Sequence, residues 1–198
     1  MYHPKEVFKF CPRCGSENFM SSGARSFKCS DCKFQYYINS SAAAAALIVN
    51  QQNELLLTVR AFEPNKGMLD LPGGFVDPGE TVETTLIREI KEELNLDITE
   101  LSYFTSFPNE YPFAGLIVFT IDLAFICKVD DFSNIKCADD VINYLFVTKE
   151  NTDYSKIGGK SIKDIVKCFW EYYSSSSSTS NSPSSSNMLL KSSSSELK

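Results

Sequence analysis

Two groups of residues in this chain have the types and spacing of ligand sets. The first is acidic: Glu89, Glu92 and Glu93 stand three and four residues apart. On a helix turning 100° per residue, with Glu89 at zero, Glu93 falls at about 40° and Glu92 at about 300°. Leu86, Ile87, Ile90 and Leu94 fall between about 60° and 160°, so a helix here would bury an aliphatic stripe and turn three carboxylates onto another face. Like charges at this spacing repel. A hard divalent cation with oxygen ligands compensates for holding them together. The second group is Cys11-Pro-Arg-Cys14 and, fourteen residues on, Cys29-Ser-Asp-Cys32. Two such knuckles offer four thiolates, which complete a tetrahedral Zn²⁺ shell and leave no open position, so the zinc would be structural. Disulfide pairing of the same cysteines is the alternative.

The elements that must position these residues can be read along the chain. Residues 1–38 form a unit too short to fold without a staple, with Phe8, Phe10, Phe19, Phe27, Phe34 and Tyr36 as its small core. Residues 39–173 form a second unit. In it Ala42–Val49 and Glu54–Val59 flank the polar turn Asn50–Asn53 and predict a hairpin. The alanine run at 42–46 favours helix by itself, and Leu47-Ile48-Val49 with the turn favours strand. A helix is expected from about 80 to 94. Strands are expected at Leu101–Thr105, Leu116–Cys127 and Tyr144–Val147, with Ser106–Ala114 as a loop between the first two. Ser161 is expected to cap a last helix that has Asp164 in its first turn and an apolar face of Ile162, Ile165, Val166 and Phe169. Strands mixed with two helices predict an α/β/α sandwich. Residues 174–198 are Ser-rich and predict a disordered tail, in which Leu189-Leu190 is either a short docking point or an accidental apolar pair.

Composition limits the partners. The 198 residues carry a net charge of −6, which disfavours bulk electrostatic binding of nucleic acid or of an anionic membrane. Residues 1–38 hold six cations and three acids, a net of +3 against −9 for the rest. No stretch reaches about 18 uninterrupted apolar residues, so no membrane span is expected; the run Gly115–Val129 is broken by Thr120, Asp122 and Lys128. Seven cysteines and an N-terminus without the apolar core of a signal peptide predict an intracellular, cytoplasmic, reducing setting.

The segment Gly74–Leu96 resembles the Nudix box, G-x5-E-x7-R-E-U-x-E-E-x-G-U, where U is aliphatic. Gly74 opens it, Glu80 follows after five residues, Arg88-Glu89 after seven more, then Ile90, Glu92-Glu93 and the closing Leu96. Asn95 stands where the family has Gly; Asn is the next residue able to end a helix in the left-handed conformation, so the departure touches a cap and no carboxylate. Leu71-Pro72-Gly73-Gly74 upstream is also usual for the family.

This resemblance implies a Nudix-type sandwich with a mixed sheet, here preceded by a small zinc ribbon, and hydrolysis of a nucleoside diphosphate linked to another group. It implies Glu89 and Glu93 as metal ligands, Glu92 as a third or as acting through water, and the carbonyl of Gly74 beside them. Glu80 and Arg88 are expected to pair and orient the carboxylates, a plain solvated salt bridge being the alternative. The general base is a box Glu or a later acid; Asp140 before Val141 matches a metal-binding Glu of the NADH pyrophosphatase branch, and a solvated loop acid is the alternative reading of it. A four-cysteine ribbon before a Nudix domain resembles that same branch, which includes enzymes that remove NAD caps from RNA. The branch signature S-Q-P-W-P-F-P-x-S is met here only by Ser106, Pro108 and Pro112-Phe113 with a gap, and without the Trp. Pro112, sixteen residues past Leu96, matches a Pro of ADP-ribose pyrophosphatases. Tyr111 and Phe113 are candidates to stack on a base, or ordinary half-buried aromatics, and Arg60 is a candidate for meeting a phosphate. The expected partner is a small nucleotide, with nucleic acid only as a capped substrate; oligomeric state is left open. A second reading makes the ribbon a nucleic-acid- or protein-binding module on a non-catalytic Nudix scaffold. Retention of every box carboxylate decides against it.

Overall fold

The computed structural model describes residues 1–177. After the short helix α1 (Pro4–Val7), the first unit is a three-stranded antiparallel sheet of β1 (Phe19–Ser21), β2 (Ser26–Cys29) and β3 (Gln35–Tyr37). Its buried side holds Phe19 and Phe27, stacked with ring centroids 5.1 Å apart, against Cys11 and Cys29. Of the aromatics expected in this core, Phe10 is instead 60% exposed. The N-terminal residues are tied to the second unit by Tyr2, which bridges Leu116, and by His3, whose ring meets Phe119 edge-on.

The second unit contains β4 (Ser41–Ile48), β5 (Leu55–Arg60), β6 (Leu69–Asp70), α2 (Val82–Leu94), β7 (Glu100–Phe113), β8 (Leu116–Lys128), β9 (Val141–Val147) and α3 (Lys160–Ser177). One sheet, in the order β4-β8-β7, is mixed: β4 runs parallel to β8, and β7 antiparallel to it. The other, β6-β5-β9, is antiparallel. Ala44, Ala46 and Ile48 of β4, with Leu56 of β5, pack towards Leu86, Ile90 and Leu94 of α2. The alternate residues Ala45, Leu47, Leu55 and Leu57 pack towards Ile165, Val166, Phe169 and Trp170 of α3. Strands covered on both faces read as continuous apolar runs, so burial overrides the helical preference of five alanines. The result is the expected α/β/α sandwich. No described helix is long and apolar enough to cross a membrane.

Four sequence expectations are corrected. β4 and β5 do not form a hairpin; Val49 and Leu55 make one bridge, and the strands then enter different sheets. Both edges of β4 are already taken, one by β8 and the other by the Pro72–Val76 segment, through Ala46 N to Pro72 O, Ala44 N to Gly74 O and Val76 N to Ala42 O. Residues 106–113 are not a loop but the second half of β7, paired with β8 as far as Phe113 opposite Leu116. The chain turns at Ala114 and Gly115, both at positive φ (48° and 83°). Pro108 and Pro112 are tolerated because β7 is an edge strand, where a missing N–H breaks no second ladder. Ser161 is not a cap: α3 already begins at Lys160, and the Ser161 hydroxyl donates to the buried Asp122. Finally, α3 runs on to Ser177, so the expected boundary at 173 falls inside a helix. The rest of the Ser-rich tail, Leu189-Leu190 included, lies outside the described residues.

Candidate active site

Two local structures deliver the acidic residues. The first is α2. Thr81 caps its N-terminus reciprocally with Thr84, each side chain accepting from the other's backbone N–H, at 3.2 and 2.9 Å. Asn95 ends it at φ 55°, the left-handed conformation that its position in the box requires. The second is the Pro72–Val76 segment lying along β4. A Cβ at Gly73 would stand 2.2 Å from the Ala44 carbonyl oxygen, and one at Gly74 would stand 2.5 Å from the Glu89 carboxylate. Both positions therefore need glycine, Gly73 also for its φ of +138°.

The carboxylates do not share one face equally. Glu93 is 3% exposed, and its Oε2 accepts a hydrogen bond from Gly73 N at 3.0 Å. Its backbone carbonyl accepts from Ala138 N, which brings the turn carrying Asp140 against the helix. Burial pushes the Glu93 carboxyl up to about 10, with the neighbouring Asp140 and Glu89 pushing the same way. Burial raises Glu89 as well, against the pull of Arg88. Glu92 turns towards solvent, its side chain 51% exposed.

Arg88 organises the outer side of this group. Its Nε and one terminal nitrogen donate to the two oxygens of Glu80, each at 2.9 Å, a fork-to-fork pair. Its other terminal nitrogen donates to Glu89 at 2.8 Å and Glu92 at 3.1 Å. Glu80 also accepts from the Thr85 hydroxyl, and the Arg88 pair holds its carboxyl down at about 2. Arg88 reaches Glu80, Glu89 and Glu92, with a longer contact of 3.9 Å to Asp77, and leaves Glu93 without a cation. An oxygen-only donor set that includes a buried, cation-free carboxylate suits a hard divalent ion.

Beside these residues opens a pocket. Gly73, Gly74 and Asp140 line it, with Arg60, Tyr111 and Phe75 on its walls and Thr120 and Asp122 within it. Phe75 meets Tyr111 edge-on, centroids 5.5 Å apart at 82°. Phe113 stacks on Tyr111 at 6.5 Å but is 59% exposed and does not line the pocket. Arg60 is committed to Asp70, at 2.7 Å, and to the Pro64 carbonyl, with a longer contact of 3.4 Å to the Tyr111 hydroxyl. Burial pushes Asp70 up to about 6 while Arg60 pulls it down. The sequence reading missed Phe75, Asp70 and the roles of Thr120 and Asp122 in the pocket. A signal for the last two existed, since they interrupt an otherwise apolar strand.

In the first unit the four cysteine sulfurs lie within 4.8 Å of one another. Cys11 and Cys32 are 3.6 Å apart at sulfur, and Cys14 and Cys29 are 3.7 Å apart. A tetrahedron of ~2.3 Å zinc–sulfur bonds has edges of about 3.8 Å, whereas a disulfide is about 2.05 Å. The spacing fits a metal, and all seven cysteines are free thiols.

A sandwich that braces a Gly-Gly turn between its β4 edge and an acidic helix is the architecture of a Nudix-fold domain. The chain belongs to the NUDIX domain family, which matches residues 39–152. Among curated proteins, the NAD-capped RNA hydrolase NudC of Vibrio atlanticus is 28% identical over 167 residues, covering 83% of this chain and 61% of that protein. NudC of Vibrio vulnificus is 31% identical over 120 residues, covering 61% of this chain and 45% of that protein. The chain thus spans about half the length of the curated relatives it matches. Among solved structures, a NUDIX hydrolase from Nitrosomonas europaea superposes with a TM-score of 0.63 at 22% identity, covering 85% of this chain and 93% of that one. The NUDIX domain of Shewanella oneidensis NrtR, complexed with ADP ribose, superposes with a TM-score of 0.53 at 16% identity, covering 69% and 88%. At these identities the structural likeness speaks for the fold alone.

Proposed function

We propose that this chain is a divalent-metal-dependent pyrophosphohydrolase that cleaves the pyrophosphate of a nucleoside diphosphate linked to a second group, such as NADH, ADP-ribose or the NAD cap of an RNA. The observation that carries this reading is Glu93: a buried carboxylate, bonded to Gly73, facing Asp140, and out of reach of Arg88. Glu89, Glu93 and Asp140, with the Gly74 carbonyl, are the residues that would hold Mg²⁺ or Mn²⁺. Glu92 would take part through water. Bound there, the ion neutralises the bridging phosphates and lowers the pKa of a water.

The chain's own residues do the rest. Arg88 and Glu80 orient Glu89 and Glu92 and do not meet substrate. Asp140, on its turn beside Glu93, is the acid we assign to take the proton of the attacking water. Tyr111, with its hydroxyl beside Arg60 and its ring edge-on to Phe75, offers a face to a base. Arg60 serves by fixing Tyr111 and Asp70, so its meeting with a phosphate is the lesser role. The four cysteines Cys11, Cys14, Cys29 and Cys32 hold structural zinc.

The test is one assay panel with Mg²⁺ and with Mn²⁺ over NADH, ADP-ribose, a diadenosine polyphosphate, a nucleoside triphosphate and NAD-capped RNA. Metal-dependent cleavage between the phosphates of the dinucleotides is the expected result. No cleavage of any of them with either metal would reject the reading.

A further inference from the structure

Among the acids lining the pocket, Asp122 is buried, unpaired with any cation, and not used by pyrophosphate chemistry. Asp122, on β8, is 6% exposed and lines the pocket together with Thr120. Its Oδ1 accepts from the Thr120 hydroxyl at 2.7 Å, and its Oδ2 accepts from the Ser161 hydroxyl. Both donors are themselves buried, and both are neutral. Among the described residues no ion pair reaches Asp122. A carboxylate offers about four acceptor sites, and the two hydroxyls fill one on each oxygen. A buried carboxylate with neutral partners has acceptor capacity left for a ligand and is stabilised by any N–H donor brought to it.

The charge of the pocket points the same way. Its lining contains one cationic side chain, Arg60, and four acidic ones, Asp70, Glu110, Asp122 and Asp140. Arg60 is already engaged by Asp70. An anionic group is therefore accommodated only where metal neutralises it, beside Glu93 and Asp140. What lies over Asp122 must be a hydrogen-bond donor. The register gives the scale. Tyr111 stands opposite Val118, Asn109 opposite Thr120 and Phe107 opposite Asp122, so the rungs of Tyr111 and Asp122 lie on one face of the sheet. Four residues separate those rungs, about 14 Å at ~3.4 Å per residue, room for one nucleoside between an aromatic ring and a carboxylate.

We propose that Asp122 sets the substrate class of this site by accepting N–H bonds from a ring-borne amino or carboxamide group. The inference rests on the hydrolase reading above and deepens it. Two substrate parts carry that chemistry: the exocyclic amine of adenine and the carboxamide of nicotinamide. A carbonyl or carboxylate in the same place presents oxygen to oxygen, and a site built to pair with a donor rejects an analogue that lacks one.

The experiment compares kcat/KM of the wild-type chain, with Mg²⁺, on NADH and two analogues. One has hypoxanthine in place of adenine, and the other has a carboxylate in place of the carboxamide. At least one analogue is expected to fall tenfold or more, and which one falls names the source. Asp122→Asn is expected to narrow that gap to about twofold and to keep the metal requirement. Should Asp122→Asn not fold, Ser161→Ala replaces it: the carboxylate loses one of the two bonds that orient it, and the gap should narrow at least threefold. Equal rates on all three compounds overturn the inference alone, as does a gap unchanged in the variant that folds. Absence of hydrolysis with all three, while another compound of the panel is cleaved, overturns the inference alone; absence across the whole panel with both metals overturns the hydrolase reading, and this inference with it.

Discussion

Gly74 and Glu89 are in such close contact that a single added methyl group would collide with the carboxylate: an ideal Cβ on Gly74 stands 2.5 Å from Glu89 Oε1. The glycine that opens the box is therefore a spacer for the acid fifteen residues later. Gly74→Ala should displace the Glu89 carboxylate while the Pro72–Val76 ladder to β4 persists. A misplacement of this kind is worth about 10²-fold in kcat. Steady-state kinetics with a melting curve on the same sample checks it; full activity would show that Glu89 moves without consequence.

Glu93→Gln keeps the size and hydrogen-bonding reach of the side chain and removes its charge. If metal neutralisation supplies several kcal/mol, the rate should fall by roughly 10²–10⁴. Unaltered activity would remove Glu93 from the metal site.

The same residue predicts a pH dependence of stability in metal-free protein. Its carboxyl is raised from 4.5 to about 10 in the fold, so between those values the native state holds a proton that the unfolded chain releases. Its contribution to stability is fully present below pH 4.5 and is lost as pH rises towards about 10. Denaturant titrations across that window should show stability falling with pH, less steeply in Glu93→Gln. Added Mg²⁺ should oppose the fall, because the ion binds the ionised form. Parallel slopes in wild type and variant would place the proton elsewhere.

Cys11→Ser removes one of the four clustered thiols from a unit whose buried side is mainly Phe19, Phe27 and two cysteines. The ribbon should release zinc and lose its fold, while hydrolysis of small dinucleotides survives. Metal analysis of protein purified without chelator checks the first part; finding no zinc in the wild type would reject the ribbon. Cys127, Cys137 and Cys168 should be dispensable for zinc.

Tyr111→Ala deletes the ring that faces Phe75 and the hydroxyl beside Arg60. Stacking is worth about 1–3 kcal/mol per ring, so kcat/KM should drop roughly 5- to 150-fold for a substrate with a stacked base. Phe113→Ala should cost less, because that ring lies outside the pocket. A drop from Phe113→Ala as large as that from Tyr111→Ala would move the stacking surface outward.

Local spacing carried much of this protein into view. The ligand-like cysteine pairs, the acidic helix and the pairing of Arg88 with Glu80 depend on residues near one another in the chain, or on turns that a few side chains specify. Asn95 as a left-handed cap is of the same kind. The strands could be counted roughly but not paired. Asn50–Asn53 reads as a hairpin turn because nothing nearby says that β8 and the Pro72–Val76 segment will occupy both edges of β4. Pro108 and Pro112 read as a loop because their tolerance depends on β7 being an edge strand, which is a property of the sheet order.

Glycines, carboxylates and thiols at set intervals have few other uses, and they were enough to read the family, the two candidate ligand sets and the layered fold. Packing settled where each of these side chains stands. A helical wheel puts Glu89, Glu92 and Glu93 together; packing buries Glu93 against Gly73, half-buries Glu89 and leaves Glu92 with Arg88 at the surface. It also brings Asp122 of β8 to Ser161 of α3, thirty-nine residues apart, and sets both beside a pocket. Desolvation and pairing across strands belong to the folded surface, and no interval along the chain encodes them.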